Sequence, residues 1–577
     1  MRILFLVTAR GGSKGLPGKN LAEVGGIPLV GRTVRVASLA ARALGPSNRI
    51  VCSTDDPTIA EAARAWGAEV PFMRPAGLAA DEAKTIDVVL HALDQLPGFD
   101  TVALLQPTSP LTAVGDVLGA LALFEGGRGP VVSICRAEHP AEWLFRLTDE
   151  GLLRPLFGWE SHVGQRQDAA AYFRPNGAVY VASVEALRRN RTFFGKETRG
   201  FLMPPSRSVD VDDAEDLGIA RAQIAAWPVP GVEIGSLRIG PGSKCLIIAE
   251  AGVNHNGDAE TALQLVDAAA EAGADAVKFQ TFRAERLVTR DAPKASYQVR
   301  TTGTAESQYE MLRRLELDEA DYRKLQKRCS QRGILFLSTP FDEESCDLLD
   351  SLGVSAFKLS SGELTNLPFL RHAARKGKPL IVSTGMATLE ETAVAVDAMR
   401  DEGTRDLVLL HCVSNYPADP ADANLRAMSS LREAFGVPVG FSDHTAGSAV
   451  ALAAVAMGAS VLEKHFTLDR GLPGPDHQAS IEPPALRELV RRVRDVEAAL
   501  GHGRKKPSAS EAAIARVVRK SLVAGRRIPA GTVIEQEMVV TRRPGTGLPP
   551  DQLDLVIGKR ARADIPEGTV LQMDMLS

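Results

Sequence analysis

The feature that most constrains this chain is a series of eight apolar runs that begins near Lys244. They are CLIIAEAG, DAVKFQT, ILFLSTPFD, AFKLSSGE, PLIVSTGM, LVLLHCVSNYP, VPVGFSDHT and VLEKHFT, and amphipathic stretches of helical length separate most of them. Nearly continuous β-branched runs that alternate with helices are typical of parallel strands. Eight such units predict a (β/α)8, or TIM, barrel, with an insertion around residues 283–315.

A second α/β region precedes the barrel. Residues 1–225 alternate the runs ILFLVTA, RIVCSTD, VALLQPTSP, PVVSIC and NGAVYVAS with helical stretches, which predicts an open α/β sheet. The next segment, AAWPVPGVEIGS, carries two prolines and two glycines but few charges. We therefore predict a linker at 226–236 and a barrel domain at 237–501.

The last part of the chain contains a short internal sequence repeat. IPAGTVI (528–534) recurs as IPEGTVL (565–571), and Pro-x-Gly turns between short apolar strands predict a small β-rich domain with pseudo-twofold character. We place this domain at 515–577. The charged stretch HGRKKPSASE before it predicts a second linker at 502–514.

Composition excludes several function classes. A net charge of -4 and a pI near 6.3 give no electrostatic reason to expect nucleic acid or an anionic membrane as a partner. The chain shows neither an apolar run of transmembrane length nor the apolar core of a signal peptide. Its six cysteines form no CxxC motif, which is typical of reduced thiols. We therefore expect a cytoplasmic enzyme.

A glycine- and lysine-rich loop, RGGSKGLPGKN (10–20), follows the first apolar run. Such a loop predicts a phosphate cradle. It does not fit the Walker pattern GxxxxGK[ST], because Ser13 stands at the first glycine position and Asn20 at the Mg²⁺-binding position.

Polar residues follow nearly every predicted barrel strand, at the end where barrel enzymes hold their active sites. Lys278 within an apolar run requires an anionic partner, such as phosphate or carboxylate. His444 and His465 end adjacent strands and are candidates for a shared divalent metal, although a purely structural role remains open for both. Glu250 and Glu363 are candidates for proton transfer, and Asp476 lies in the loop beyond the last strand.

The ordered motifs EAGVNHNG, KFQTF, STPFD, KLSSGE, STGMAT, SDHTAG, EKHFTLD and GPDH resemble the sialic acid synthase family. The resemblance covers about 236–577 and includes a C-terminal antifreeze-like (SAF, β-clip) domain. It implies condensation of phosphoenolpyruvate with N-acetylmannosamine or a related 2-acetamido hexose to a nonulosonic acid. It also implies Mn²⁺ or another divalent metal on His444 and His465, and sugar binding or proton transfer by Glu250, Glu363, Tyr416 and Asp476. The implied phosphoenolpyruvate-binding residues are Lys278, Gln280, Thr339, Ser361, Ser414 and Ser442, and some family members carry Asn where Ser414 stands.

The same resemblance gives Arg519, in the motif RKSL, a sugar-binding role. In the family this arginine reaches the partner subunit's barrel, so the resemblance implies a homodimer with exchanged SAF domains. A solvated arginine at the start of a domain is the alternative that the sequence leaves open.

In the first region, RGGSKGLPGKN, QPTSPL, YFRPNGAVY and SVDVDDAED resemble the cytidylyltransferases that make CMP-sialic acids. This implies a Rossmann-like nucleotidyltransferase sheet that uses CTP. Asp210 and Asp212, two apart in an expected strand, are candidates for Mg²⁺ ligands, with a plain acidic turn as the alternative. Arg10 and Lys19 would also act in catalysis, and Gln106, Arg166 and Gln167 would contact the sugar. The implied CTP-binding residues are Arg10, Gly11, Gly12, Ser13, Lys14, Lys19 and Asn20.

The whole chain therefore predicts a bifunctional enzyme that makes a sialic-acid-type sugar and activates it with CTP, releasing pyrophosphate. One alternative keeps both reactions but uses a precursor of legionaminic or pseudaminic acid. Another makes one domain an inactive scaffold, and a third gives the small domain an ice-binding role. Intact phosphate-binding and metal-binding residues in both halves favour two active domains.

Overall fold

The computed structural model describes residues 1–125, 129–161, 165, 167, 169–303 and 306–577. The chain divides into two compact units, Met1–Ala499 and Leu500–Ser577, which are described separately below. In the part that the structure describes, no helix is both long and apolar enough to span a membrane. All six cysteines are buried free thiols.

The N-terminal region contains a six-stranded sheet. Its strands are β1 (Ile3–Thr8), β2 (Arg49–Ser53), β3 (Thr101–Leu105), β4 (Val131–Arg136), β5 (Phe173–Ser183) and β6 (Arg199–Leu202), in the order β6-β4-β5-β3-β1-β2. Strand β5 runs antiparallel to β3 and β4, and the other pairs are parallel. The predicted α/β sheet is confirmed. The sequence prediction missed β6, a short edge strand without a continuous apolar run.

Helices cover both faces of this sheet. They are α1 (Leu29–Leu44), α2 (Pro57–Ala65), α3 (Thr85–Gln95), α4 (Val114–Glu125), α5 (Val184–Asn190) and α6 (Ala214–Ala225). Alternate residues of β1 point to opposite faces, so Phe5 packs in the cluster beneath α1 and α4, whereas Leu4 and Leu6 pack beneath α3. A small hairpin, Phe145–Leu147 with Leu153–Pro155, lies outside the sheet.

The barrel is confirmed with all eight predicted strands. They are β7 (Leu246–Gly252), β8 (Ala276–Thr281), β9 (Leu335–Pro340), β10 (Phe357–Leu359), β11 (Leu380–Ser383), β12 (Leu407–Cys412), β13 (Val439–Asp443) and β14 (Val461–His465). They pair in parallel in the order β9-β8-β7-β14-β13-β12-β11-β10. The end strands β9 and β10 lie beside each other, so the sheet is nearly closed.

Helices surround the barrel strands. They are α7 (Ala259–Ala272), α8 (Ala284–Leu287), α9 (Ser296–Thr302), α10 (Gln308–Arg314), α11 (Glu319–Arg332), α12 (Glu343–Ser351), α13 (Leu367–Arg375), α14 (Leu389–Asp401), α15 (Ala427–Phe435), α16 (Ala449–Ala456) and α17 (Pro483–Leu500). The short helices α8 to α10 occupy the predicted insertion between β8 and the long helix α11.

A two-stranded hairpin closes the bottom of the barrel. Val232–Ile234 pairs with Leu237–Ile239, and the buried side chains of Val232, Ile234 and Ile239 pack against residues near the strand starts, such as Leu246. The predicted linker 226–236 is therefore corrected in its second part. Its alternating apolar residues form barrel core, whereas a linker would leave them in water.

We expect Ile234→Ala to lower the free energy of unfolding of the barrel by about 3 kcal/mol, because it opens a cavity beneath a closed core. Urea unfolding followed by circular dichroism would measure this. Glu233→Ala is the matched control, since the neighbouring side chain is exposed on the other face of the strand. Equal effects of the two substitutions would contradict the packing role of the hairpin.

Helix α1 of the N-terminal region packs against barrel helices α14 and α15 around a buried ion cluster. The Asp397 carboxylate, 5% exposed, accepts hydrogen bonds from Arg35 at 2.9 Å and Arg42 at 3.1 Å. Arg35 also donates to the Ala434 carbonyl oxygen and lies 5.1 Å from the Phe435 ring centroid. A buried carboxylate is stable only with such partners, so the cluster fixes the register between the two regions.

The C-terminal unit is small and β-rich, as predicted. It contains α18 (Ala509–Val518), β15 (Ser521–Ala524), β16 (Val539–Arg542) and α19 (Leu553–Val556). The two repeat segments, 528–534 and 565–571, pair antiparallel. The backbone N–H groups of Ile528 and Ile565 each donate to the other residue's carbonyl oxygen at 2.8 Å, as pseudo-twofold symmetry requires. The predicted linker 502–514 is corrected, because α18 begins within it. Ser508 and Glu511 form a capping box that starts this helix.

Two candidate active sites

Four charged side chains meet at the mouth of the barrel. Lys278 Nζ lies 2.6 Å from Glu250 Oε2 and 3.6 Å from Glu463 Oε2, and it donates to Thr339 Oγ1 at 2.9 Å. Lys358 Nζ approaches the other Glu463 oxygen at 3.4 Å. All four charged side chains are at most 5% exposed. Lys278 therefore has two carboxylates, Glu250 and Glu463, as anionic partners.

Burial and mutual attraction act against each other in this cluster, and burial prevails at Glu250 and Lys358. Burial opposes the charged form of each group, but Glu250 and Glu463 raise the pKa of Lys278 above its usual value. Burial raises the pKa of Glu250, with a smaller opposing effect of Lys278. Two ammonium groups in a shared cavity can hold an anionic ligand if the carboxylates release them. Sequence reasoning missed Lys358, although its apolar run, AFKL, gives the same signal as the run around Lys278.

A glycine turn lies next to this cluster. The Gly385 N–H donates to Ser361 Oγ at 2.9 Å, and Ser361 Oγ lies 3.2 Å from Cys412 Sγ. A Cβ at Gly385 would stand 2.4 Å from Ser414 Oγ and 2.8 Å from Cys412 Sγ, so no larger residue fits there. The close approach brings two predicted phosphoenolpyruvate-binding hydroxyls, Ser361 and Ser414, to one wall.

His444 and His465 meet beside Tyr416. Their ring centroids are 5.5 Å apart, and the Tyr416 ring is 4.2 Å from His444 and 5.3 Å from His465. His444 Nδ1 donates to the Val413 carbonyl oxygen at 2.6 Å, so Nε2, which lies 3.3 Å from Ser442 Oγ, carries the lone pair that could bind a metal. Burial lowers the pKa of both imidazoles, so both are neutral.

These two histidines fit a divalent metal. Among the described residues, Nδ1 of His465 is buried without a hydrogen-bond partner, which is costly unless a ligand meets it. Within the same part of the chain, no group of three or more His, Cys, Asp or Glu side chains is arranged to hold a metal. Two imidazole ligands leave coordination positions open for substrate and water, as catalytic metal sites require.

The mouth encloses a cavity of about 400 Å³, lined by nearly all the predicted barrel residues. Glu363 is the exception. It lies in a short 3₁₀ turn, Ser361–Glu363, and accepts a hydrogen bond from Asn366 at 2.7 Å outside the lining. The predicted residues in the lining are Glu250, Lys278, Gln280, Thr339, Ser361, Ser414, Tyr416, Ser442, His444, His465 and Asp476.

A separate cavity of about 270 Å³ lies at the C-terminal ends of β1 and β3 in the N-terminal region. Five predicted residues line it: Arg10, Ser13, Lys19, Asn20 and Gln106. Asn20 is buried and donates to the Arg10 carbonyl oxygen at 2.8 Å, which ties the two ends of the loop together.

Three cations of this loop form ion pairs with acidic side chains. Arg10 and Lys14 both pair with Asp81, at 2.9 and 2.6 Å, and Lys19 pairs with Asp212 at 3.1 Å. The sequence prediction missed two residues of this site, Asp81 and Arg74. Arg74 is buried, lines the cavity and donates to Ser53 Oγ at 3.1 Å. Neither belongs to the quoted motifs.

The predicted metal pair Asp210 and Asp212 does not lie in a strand. The segment is irregular, but Val211 between the two acids is buried and donates its N–H to the Thr108 carbonyl oxygen at 2.7 Å. Burial raises the pKa of Asp210, and the charge of Asp212 adds to this. A Cβ at Gly15 would stand 2.5 Å from the Asp212 carbonyl oxygen, so the loop packs directly on this segment. Two close carboxylates are suitable oxygen ligands for Mg²⁺.

The structure leaves other predicted residues outside the two cavities. Gln167 is exposed and donates to Gln165, and Arg166 lies outside the described residues. Gly11 donates its N–H to Asp55 at 3.0 Å. A Cβ added at Gly12 would have no atom within 4 Å, so a larger residue would fit there. Arg519 is exposed at the end of α18, and its contact with a second subunit stays a prediction.

Family models match three parts of the chain. Residues 265–505 match the NeuB family, 519–577 the SAF domain and 4–133 the Cytidylyltransferase family. The N,N'-diacetyllegionaminic acid synthase of Legionella pneumophila is 49% identical over 58% of this chain and 94% of its own length. The chain belongs to the NeuB family.

Other NeuB relatives cover the same part of the chain. The N,N'-diacetyllegionaminic acid synthase of Campylobacter jejuni is 46% identical over 57% of this chain and 99% of its own length. The human N-acetylneuraminate-9-phosphate synthase is 36% identical over 59% of this chain and 94% of its own length. This NeuB protein thus joins a cytidylyltransferase domain, a synthase barrel and a SAF domain in one chain, and the predicted bifunctional transferase is confirmed.

Proposed function

We propose that the chain condenses phosphoenolpyruvate with a 2-acetamido sugar to a nonulosonic acid and then activates that acid with CTP. The observation that carries the proposal is the barrel mouth, where two buried lysines and two neutral imidazoles line one cavity. Lysines suit the carboxylate and phosphate of phosphoenolpyruvate, and imidazoles suit a divalent cation.

Legionaminic-type acids are the favoured products. The two N,N'-diacetyllegionaminic acid synthases are 49% and 46% identical to this chain, against 36% for the pseudaminic acid synthase of Campylobacter jejuni and for the human N-acetylneuraminate-9-phosphate synthase. N-acetylmannosamine remains the second candidate sugar. It shares an acetamido group and an aldehyde with the sugar precursor of a legionaminic-type acid, and the cavity residues named above would contact these groups in either sugar.

In the barrel, Lys278 and Lys358 bind the phosphoenolpyruvate anion while Ser361 and Ser414 orient its phosphate, and the Gly385 N–H positions Ser361. His444 and His465 would hold a divalent metal such as Mn²⁺, which supplies a Lewis acid for the sugar aldehyde. The enol carbon of phosphoenolpyruvate attacks that aldehyde, water adds to C2, and phosphate leaves by C–O cleavage. Glu250 and Asp476 line the cavity and would accept or return protons in these steps.

In the N-terminal site, the anomeric hydroxyl of the acid attacks the α-phosphorus of CTP and pyrophosphate leaves. Arg10, Lys14 and Lys19 exchange their acidic partners for the triphosphate. Asp210 and Asp212 would hold Mg²⁺, which neutralises charge that develops on the phosphates. Gln106 lines the cavity where the sugar would sit.

The decisive experiment supplies the protein with phosphoenolpyruvate, CTP, Mg²⁺ and Mn²⁺ and with each of several sugars, followed by mass spectrometry. The panel contains a diacetamido trideoxyhexose, N-acetylmannosamine and a hexose without an acetamido group. We expect a CMP-linked product with the first sugar, a weaker one with the second and none with the third. Absence of any CMP-nonulosonate would refute the proposal.

Metal removal gives a further expectation. Dialysis against a chelator should abolish condensation, and added Mn²⁺ should restore it, because two neutral histidines alone supply no Lewis acid. Release of inorganic phosphate from phosphoenolpyruvate measures this reaction. Condensation at an unchanged rate in metal-free buffer would contradict the assignment of the histidine pair.

A further inference from the structure

A second cavity lies on the flank of the barrel mouth, between the barrel and the N-terminal region. Its volume is about 620 Å³. The barrel contributes the segments that follow β11 and β12 and the first turns of α14 and α15, and the N-terminal region contributes Glu23 and Gly26. We call it the flank cavity.

At one end the flank cavity adjoins the synthase site. Met386, Cys412 and Ser414 line both cavities. Ser414 is one of the candidate phosphoenolpyruvate ligands, and Gly385 packs directly against it. A product formed in the barrel therefore lies one side chain away from the flank cavity.

At the other end the flank cavity is lined by two residues of the N-terminal region, Glu23 and Gly26. Residues 10–28 form one continuous segment that carries Lys19 and Asn20 in the N-terminal cavity and Glu23 and Gly26 in the flank cavity. Gly26 has φ +70, and a Cβ there would stand 2.9 Å from the Ser430 Cβ of α15. Glu23–Val24 and Ile27–Pro28 pair as a short hairpin with Gly26 in its turn, and this hairpin packs closely on the barrel beside the flank cavity.

The walls of the flank cavity are held in place. The buried Asp397 cluster joins α1, which follows Gly26, to α14 and α15, whose first turns line the cavity. Both arginines lie on α1, so moving this helix away would leave the buried Asp397 carboxylate without a cationic partner, and separation of these helices is costly. The space between the two domains is a fixed feature of the fold.

The chemistry of the lining suits a polyhydroxylated acid in transit. Thr388, Ser430, Asn415 and Asn424 offer hydroxyl and amide groups. Among the described lining residues there is one acidic side chain, Glu23, and no lysine or arginine, and burial lowers the pKa of His411. A sugar acid meets hydrogen-bonding groups there but no lysine or arginine that would retain its carboxylate.

We propose that the flank cavity is the route by which the keto acid made in the barrel reaches the cytidylyl site before it mixes with the solution. The inference rests on the proposed function, since it needs an acid product that is the substrate of the second domain. A fixed short route raises the local concentration of that product at the second site.

An isotope-competition experiment tests this route. The full-length protein receives labelled phosphoenolpyruvate, the sugar and CTP together with an unlabelled pool of its own acid product at about 1 mM, the effective concentration of a short tether. We expect the specific label of the CMP product to exceed that of the free acid several-fold in the first turnovers. Equal labels in the two would overturn the proposal.

Two variants at one lining position connect the effect to the cavity. Ala427, the first residue of α15, lines the flank cavity and neither active-site cavity. Ala427→Phe should reduce the label ratio to one, while Ala427→Ser, the matched control, should keep the wild-type ratio. A phenylalanine variant that keeps the wild-type ratio would overturn the route. Ala387→Phe on the opposite wall replaces it if Ala427→Phe does not fold.

Separate assays of the two reactions distinguish failure of the route from failure of the proposed function. Condensation is measured without CTP, and CMP transfer is measured on supplied acid. Loss of either reaction in the wild-type protein would refute the proposed function. Two intact reactions with equal labels would refute the route alone.

Discussion

His444→Ala should reduce condensation about 1,000-fold while CMP transfer to supplied acid keeps its wild-type rate. The substitution removes one of two imidazoles that face the barrel cavity, and Lewis-acid stabilisation worth several kcal/mol corresponds to a rate factor on the order of 10³. Phosphate release from phosphoenolpyruvate measures condensation, and pyrophosphate release from CTP measures transfer.

His372→Ala is the matched control for this prediction. This histidine lies on α13, outside the barrel cavity, and pairs with Asp347 at 2.7 Å. It should leave both reactions unchanged. If His444→Ala retained more than about a tenth of the condensation rate, the loss of barrier stabilisation would be below about 1.4 kcal/mol, too small for a metal ligand.

Asp210→Ala should have the reverse effect, a loss of CMP transfer of about 100-fold or more with unchanged condensation. Asp210 is largely buried beside the loop that carries Lys19, and its carboxylate is the less exposed member of the candidate Mg²⁺ pair. Stabilising groups aimed at a developing charge commonly contribute about 10²–10³-fold. Pyrophosphate release from CTP with supplied acid is the measurement.

Asp94→Ala provides the control, because this surface carboxylate pairs with Arg188 away from the cavity. Asp212→Ala should cost less than Asp210→Ala, since the Asp212 side chain is 76% exposed and water replaces it easily. Wild-type CMP transfer by Asp210→Ala would show that this carboxylate holds no catalytic metal.

The two predictions together also test the scaffold alternative. If each variant loses one reaction and keeps the other, both domains are catalytic and work in the same chain. If the wild-type protein performs one reaction only, the silent domain is a scaffold. The buried Asp397 cluster would then serve assembly alone.

The sequence was sufficient for much of the architecture. Eight β-branched runs separated by helical stretches predicted the barrel, and all eight appear as parallel strands. The same logic placed most site residues, because the C-terminal ends of parallel strands meet at one mouth. The positions of His444 and Lys278 followed from strand ends and from the cost of burying charge, both of which are local properties.

Local patterns failed where a residue depends on distant partners. Lys358 was missed although its apolar run carries the same signal as the run around Lys278, and only the fold shows that Glu463 meets it across the barrel. Glu363 follows a strand as expected, but the 3₁₀ turn places its carboxylate on Asn366 outside the cavity lining, and its role in proton transfer stays a prediction. The strand expected at Asp210 and Asp212 did not form, although buried Val211 keeps the alternation that suggested it.

The sequence by itself determined the kinds of domain and which polar side chains stand at the barrel mouth, because hydrophobic period and strand-end polarity are set by neighbouring residues. Only the tertiary structure decided how the halves meet. The Arg35–Asp397–Arg42 cluster and the Gly26–Ser430 contact join segments hundreds of residues apart. The hydrophobic period of a sequence does not predict contacts between such distant segments. These contacts form the flank cavity between the barrel and the N-terminal region.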